Sequence, residues 1–410
     1  MDERIDLVVV GAGQAGLAVS HELTRAGLAH VVLERARIGE AWRRRWDSFC
    51  LVTPNHTVRL PGGHYEGPDP DGFMVRDDIV AHLAGYAARF AAPVREGVDV
   101  TSIEADGAGG FILRTADGAI GAASVVLATG AFQRPHRPAA SRALPGRLLT
   151  IDAESYTRPG ALPAGAVLVV GSGQTGCQLA EELREAGRDV FLACGRAAWI
   201  PRRFGGRDMF SWLLETPFME MTAAQLPSPA ARLAANPQST GHGGGHDLHY
   251  RTLAAMGVTL LGRFLGAEGD QARFAPDLAQ SVAFGDARYA ELCDLVRRSC
   301  AGRGVRPPEL PVPEPFRAET RESVDLRGFG AAIFTSGFRP DYGRWVHLPA
   351  AFDDMGFPIQ TDGASLTVPN LYFVGVHFLR KRKSSLLLGV GEDATVLAGA
   401  IAAKRSRAGS

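Results

Sequence analysis

Lysine is almost missing: of 44 basic residues only Lys381, Lys383 and Lys404 are lysines, a bias that points to a GC-rich coding genome rather than to a function. An excess of charge of either sign is missing too. Lys+Arg 44 against Asp+Glu 44 gives a formal net charge of +0, without the basic surplus that nucleic acid or an anionic membrane surface selects. Neither partner is expected. Cysteine is sparse, and Cys50, Cys177, Cys194, Cys293 and Cys300 include no C-x-x-C pair, which excludes a disulfide scaffold, a zinc ribbon and a dithiol redox centre. No window approaches the roughly 18 to 20 uninterrupted apolar residues of a membrane span, and no signal-peptide pattern follows Met1, so a cytoplasmic location is expected. What remains is ordinary for a globular chain, 46% hydrophobic and 21% charged. At about 100 to 200 residues per domain, 410 residues make two or three domains.

Glycine is abundant, at 49 residues, and part of it forms an internal repeat. The run Ile5 to Val10 leads into Gly11-Ala12-Gly13-Gln14-Ala15-Gly16, a helix pattern to Gly27 and a second strand from His30 that closes on Glu34. At an offset of 160 residues the order returns: Val167 to Val170, Gly171-Ser172-Gly173-Gln174-Thr175-Gly176, a helix to Gly187 and a strand from Asp189 to Leu192. In G-x-G-x-x-G the first glycine permits the turn, the second lets a pyrophosphate reach backbone N–H groups, and the third lets the helix pack on the strand. The phosphates then face a helix N-terminus, whose unpaired N–H groups favour anions. Glu34, 23 residues after Gly11, is placed to bond ribose hydroxyls and to repel a 2′-phosphate, which fits FAD or NAD. Its counterpart in the second copy is Cys194, with Arg196, Arg202, Arg203 and Arg207 following. That change of residue type favours NADPH over NADH.

Val125 to Gly130 and Ala332 to Gly337 are strand runs ending in a small residue and glycine, suited to bringing the chain close to a cofactor. Thr157 to Gly165 and Pro307 to Pro315 are Pro/Gly-rich or proline-rich connections. The expected fold class is α/β, with two Rossmann-like dinucleotide-binding domains. The NADPH domain, residues 157–329, is inserted into a discontinuous FAD domain, residues 1–156 and 330–410.

Further segments carry a family likeness: Gly39 to Trp42, Arg45-Trp46-Asp47-Ser48, Leu51 to Pro54, Leu60-Pro61-Gly62, Gly337-Phe338-Arg339-Pro340-Asp341, Leu371 to Gly375, Arg382-Lys383-Ser384 and Leu387 to Asp393. With both glycine loops, they make the chain resemble the flavin-dependent class B monooxygenases, and within them a bacterial subgroup often labelled as flavoproteins of cation transport or pyridine nucleotide-disulfide oxidoreductases. The resemblance implies that NADPH reduces FAD, that O2 forms a C4a-(hydro)peroxyflavin, and that this adduct oxygenates a small organic substrate at nitrogen or sulfur, beside a ketone, or at carbon. It implies FAD contacts from Gly11, Gly13, Gln14, Ala15, Gly16, Glu34, Arg35, Trp42, Trp46, Thr53, Val100, Thr129 and Gly130, with Gly375 and Ser385 approaching the ring. NADPH contacts are expected from Gly171, Gly173, Gln174, Thr175, Gly176, Arg196, Arg203 and Arg207.

Catalytic candidates are few, because the flavin carries the chemistry. Asn55 or Pro54 falls where relatives place an asparagine beside the ring, and His56 is a polar candidate next to it. Asp152 stands where the family fingerprint has a histidine four residues before an aromatic, here Tyr156. A carboxylate there makes a peroxide-releasing NADPH oxidase the alternative to a monooxygenase unless an arginine such as Arg134, Arg137 or Arg158 pairs with it. A non-catalytic flavoprotein sensor or transport-associated protein is a third reading. The segment Gly241 to His249 offers three histidines and Asp247, yet its glycine density suits an irregular loop, and no metal is expected. Trp199, Phe204, Phe210, Trp212 and Phe218 read as a core or domain-interface cluster. Nothing in the sequence sets an oligomeric state.

Overall fold

A computed structural model describes residues 3–234, 236–317, 319 and 321–408. The strand Glu3–Val10 runs parallel to Val31–Glu34 on one side, with Val8 opposite Val31, and to Gly118–Leu127 on the other, with Val9 opposite Val126. Leu7, Val8 and Val9 are fully buried, as a four-residue apolar run must be when both faces of a parallel sheet are covered. Outward from this centre the sheet continues through Val94–Glu96 at one edge and through Leu371–Phe373, Ala364–Ser365 and Gln360–Thr361 at the other. Helix Gln14–Arg25 covers it with Ala15, Leu17, Ala18, Val19 and Leu23. The C-terminal helix Val390–Ala408 packs on that first helix.

A second sheet is all parallel, in the order Leu149–Asp152, Phe329–Phe334, Ala166–Val170, Val190–Ala193, Thr259–Leu261. Helix Gln174–Glu185 follows its central strand as Gln14–Arg25 follows the first. The chain thus leaves the first sheet, builds the second and returns, but the boundaries differ from 157 and 329. Leu149–Asp152 and Phe329–Phe334 hydrogen-bond each other, and the latter also bonds Ala166–Val170, so both strands belong to the second unit. A buried apolar run fits any parallel sheet; only long-range pairing decides which one it joins.

Trp199, Phe204, Phe210 and Trp212 form a buried cluster with Tyr289 of the long helix Leu278–Gly302 and with Leu388 from the C-terminal return. This cluster packs the second unit against the first. Among the described residues no helix is long and apolar enough to cross a membrane.

Candidate dinucleotide sites

The first glycine loop has three different environments. Gly11 has φ +105°, and a Cβ there would lie 2.8 Å from the carbonyl oxygen of Ala128, where Gly118–Leu127 ends. A Cβ on Gly16 would overlap the carbonyl oxygen of Gly11. Gly13, the N-cap of helix Gln14–Arg25, has φ −80°, and a Cβ there would meet nothing within 4 Å. Gly11 and Gly16 are therefore glycines of the fold. Gly13 faces an open cradle at a helix N-terminus without acidic residues in its first turn, the chemistry that suits a pyrophosphate. Glu34 is buried and accepts from Ala12 N at 2.8 Å and Ala36 N at 3.0 Å. A carboxylate offers about four lone-pair directions, so ribose hydroxyls still find acceptors there, beside the exposed Arg35.

The residues expected at the ring converge from distant parts of the chain. Gly375 has φ +76°, and a Cβ there would stand 2.6 Å from the Ala15 Cβ and 4.0 Å from Gly130 Cα. Gln14 ties this corner together: it accepts from Trp42 Nε1 at 2.6 Å and donates to the Ser385 carbonyl at 3.0 Å. Trp46 packs edge-on to Phe49 and is buried, as is Val100, while Gln133 Nε2 donates to Thr129 Oγ1 and to the Gly130 carbonyl. Arg45 lies over Phe49 and Phe132 at 5.7 and 5.5 Å, and its buried Nε has no acceptor among the described residues. An unpaired buried donor costs about 1 to 3 kcal/mol. The residues present fit FAD.

The second loop copies this construction with other partners. Gly171 has φ +111°, and a Cβ there would be 2.8 Å from the Thr335 carbonyl. Thr335 Oγ1 donates to the Gly171 carbonyl at 2.6 Å, so Thr335-Ser336-Gly337 closes the second loop just as the Ala128-Thr129-Gly130 end closes the first. Gln174 and Ser239 bond reciprocally, with Ser239 N donating to Gln174 Oε1 at 3.1 Å, and Thr175 is half-buried. Cys194 is fully buried, and burial pushes its thiol pKa up. Gly195 N donates to Ser172 Oγ at 2.8 Å, and Tyr250 OH bonds both Ser172 Oγ and the Gly195 carbonyl. No carboxylate occupies the position of Glu34. Arg196 is exposed and has neither a hydrogen bond nor an ion pair among the described residues; its guanidinium lies 5.9 Å from the Phe284 ring.

Two of the expected phosphate arginines are engaged elsewhere. Arg203 donates to the carbonyls of Gly245 and Gly244 at 2.8 and 2.7 Å, and Arg207 pairs with Glu215 at 2.6 Å while stacking on Trp212 at 4.3 Å. The Gly241 to His249 segment that Arg203 holds is a built connection: His246 reaches Glu181 at 2.5 Å, His242 reaches Glu185 at 3.4 Å, and His249 caps helix Tyr250–Ala255. Each imidazole thus has a separate task.

The catalytic expectations change as well. Asn55 is buried, and both ends of its amide are used: Nδ2 donates to the Asp69 carbonyl at 2.9 Å and Oδ1 accepts from Met74 N at 2.7 Å. His56 bonds the Pro70 carbonyl at 3.1 Å and approaches Asp71 at 3.5 Å. Both fasten the 69–74 loop, and one of the two Nδ2 hydrogens of Asn55 is committed to the Asp69 carbonyl. Asp152 ends the edge strand of the second sheet and is held by both arms of Arg137, at 2.7 and 3.0 Å, a two-point pair.

His377 is not singled out by sequence spacing. Two residues after Gly375, it bonds Ser385 Oγ at 3.0 Å and sets its ring edge-on to Phe132 at 5.2 Å. Burial pushes its pKa down to about 4, so the imidazole is neutral at pH 7. Its neighbour Phe378 adopts φ +53°, a left-handed conformation that a bulky residue keeps only when its surroundings enforce it.

Two glycine loops, one ending on a carboxylate and one without, fit two different dinucleotides. Residues 8–205 match the pyridine nucleotide-disulphide oxidoreductase family. The chain is 28% identical over 402 residues to an uncharacterized CzcO-like oxidoreductase of Geobacillus kaustophilus, covering 97% of this chain and 98% of that one. An indole-3-pyruvate monooxygenase of Oryza sativa is 29% identical over 239 residues, 52% of this chain and 54% of the relative. The flavin-containing monooxygenase of Stenotrophomonas maltophilia shares the fold with a TM-score of 0.68, at 19% identity, over 98% of this chain and 99% of that one. These likenesses support a class B flavin monooxygenase-like protein, an enzyme whose relatives use FAD and NADPH.

Proposed function

We propose that this chain is an NADPH- and FAD-dependent monooxygenase that transfers one atom of O2 to a small organic substrate, with nitrogen or sulfur as the favoured acceptor. The observation that carries the reading is the inequality of the two loops: Glu34 closes the first, whereas buried Cys194 and unpaired Arg196 close the second. A bound FAD supplies the hydride acceptor and oxygen-activating ring, and NADPH the hydride.

The chain's own residues do the rest. Gly13 and the start of helix Gln14–Arg25 hold the pyrophosphate, Glu34 the ribose, and Gly375 and Ala15 let backbone approach the ring. Trp42, Gln14 and Ser385 form one hydrogen-bonded brace that keeps the C-terminal return over the first loop. Arg196 donates to the 2′-phosphate that Glu34 would repel. His377 presents a neutral imidazole, and a nucleophilic nitrogen or sulfur needs no base from the protein. All five thiols are buried, and burial raises those of Cys50, Cys177 and Cys194. Neutral thiols are poor nucleophiles, which argues against dithiol chemistry.

Anaerobic mixing tests the reading. Purified protein should be yellow, with about one FAD per chain, and NADPH should bleach it at lower concentration than NADH. A colourless protein that takes up no added FAD would contradict the assignment. A flavin that neither nucleotide reduces would do so as well.

A further inference from the structure

The two loops lie in different sheets, and one buried side chain bridges the two units. Arg202 is only 1% exposed. It belongs to the second unit and donates from Nε and Nη2 to the two oxygens of Asp208 at 2.7 and 2.6 Å. Its Nη1 donates to the Val52 carbonyl of the first unit at 2.7 Å and to Ser239 Oγ at 3.0 Å. Phe73, also of the first unit, lies against the guanidinium at 4.6 Å, and Arg202 N donates to Asp247 at 2.6 Å.

One end of this hub leads to the second glycine loop, and the other to the segment before Thr53 in the first unit. Val52 precedes Thr53, on the segment assigned to the flavin side. Ser239 is bonded in both directions to Gln174, which opens the helix after the second glycine loop. The path Gln174, Ser239, Arg202, Val52 therefore crosses from the second glycine loop to the first unit, at the residue before Thr53, through three hydrogen-bonded joints. Stability alone does not account for such a residue, because a buried ion pair is often replaceable by apolar groups without loss. A planar fork that fixes Asp208, Ser239 and a carbonyl of the opposite unit does define a geometry, and a lysine ammonium does not reproduce it.

We propose that Arg202 is a positioning residue that sets the registry of the two dinucleotides, holding the nicotinamide at hydride-transfer distance from the flavin. The proposal rests on the two-cofactor reading above. In the step it governs, NADPH loses a hydride, two electrons with one proton, and FAD gains it, leaving NADP+ and the reduced cofactor. A misplacement of about 1 Å in such a transfer costs on the order of 100-fold.

The test uses FAD-loaded Arg202→Lys and the charge-free pair Arg202→Met with Asp208→Asn, which leaves no unpaired carboxylate in the interior. FAD content, the Kd of NADP+ from difference spectra, and the anaerobic reduction rate at saturating NADPH are measured for each. The expected result is a reduction rate lower by about 10- to 100-fold in the double variant and by less in Arg202→Lys, with FAD content retained and NADP+ affinity within about threefold. A rate within about twofold of the parent would overturn the proposal. So would loss of FAD, NADP+ binding and rate together in both variants, since Arg202 would then be a folding residue. If NADPH does not reduce the parent flavin, the two-cofactor reading fails and the proposal falls with it, an outcome visible in the unmutated control.

Discussion

Two glycines three residues apart in one motif should fail in opposite ways when each is replaced by alanine. At Gly13 the φ of −80° suits alanine and a Cβ meets nothing within 4 Å. The entropic gain of about 0.4 to 1 kcal/mol on replacing glycine roughly offsets the weaker N-cap preference of alanine. Apo-protein stability should stay within about 1 kcal/mol, or about 4 °C in Tm. The methyl nevertheless stands where phosphate oxygens must approach backbone N–H groups. Losing two charge-assisted hydrogen bonds at about 1.5 kcal/mol each weakens FAD binding by about 3 kcal/mol, on the order of 100-fold in Kd. At Gly16 the added Cβ overlaps the Gly11 carbonyl oxygen and comes within 3.4 Å of the Ala128 Cβ, so backbone must move before any ligand is involved. Overpacking of this kind costs about 3 kcal/mol or more, roughly 6 to 12 °C in Tm. Thermal melts of the apo proteins and FAD titrations followed by quenching of flavin fluorescence separate the two effects. An FAD affinity of Gly13→Ala equal to the parent's would refute the assignment of that face to the pyrophosphate, and an unshifted Tm for Gly16→Ala would refute the packing argument.

Arg196→Ala should raise the half-saturation concentration for NADPH by about tenfold while leaving that for NADH nearly unchanged, and equal losses would show that it does not read the 2′-phosphate. Asp152→Ala frees Arg137 and removes its two-point pair at the edge of the second sheet; peroxide released per NADPH oxidised should rise, and an unchanged ratio would make the residue a bystander. Asp393 is buried, one of its oxygens has no partner among the described residues, and burial raises its pKa to about 6. Because the folded value lies above the unfolded one, near 3.8, its stabilising contribution is complete below about pH 4 and is lost as pH rises through about 6. The Tm of Asp393→Asn relative to the parent should therefore be higher at pH 7.5 than at pH 4.5, and a pH-independent difference would contradict the assignment.

The repeat is legible in the sequence because the constraints on Gly11, Gly13 and Gly16 are local: a turn, an approach and a helix packed on a strand follow one another within six residues. The strand ends at Gly130 and Gly337 are legible as close approaches of chain to a glycine loop for the same reason, although the partner of Thr335 is the second loop rather than the returning first domain. Sheet membership of Leu149–Asp152 and Phe329–Phe334 is not legible, since apolar runs carry no record of their pairing partner. Arginine is the clearest case. Arg196, Arg202, Arg203 and Arg207 look alike in sequence, and only the folded chain assigns Asp208 to Arg202, loop carbonyls to Arg203 and Glu215 to Arg207, which leaves Arg196 unpaired. His377 has no spacing signature, and its role comes from Phe132 and Ser385 meeting it across more than one loop.

Oxygen transfer coupled to NADPH oxidation can be followed by oxygen bookkeeping in 18O2. The FAD-loaded enzyme is supplied with NADPH and a panel of small amines, sulfides and ketones, while NADPH consumption, hydrogen peroxide and isotope content of products are followed together. One panel member should accelerate NADPH oxidation and leave with a single 18O atom, at a peroxide yield well below the NADPH consumed. NADPH oxidation indifferent to every substrate, with one peroxide formed per NADPH and no labelled product, would contradict it and identify an oxidase instead.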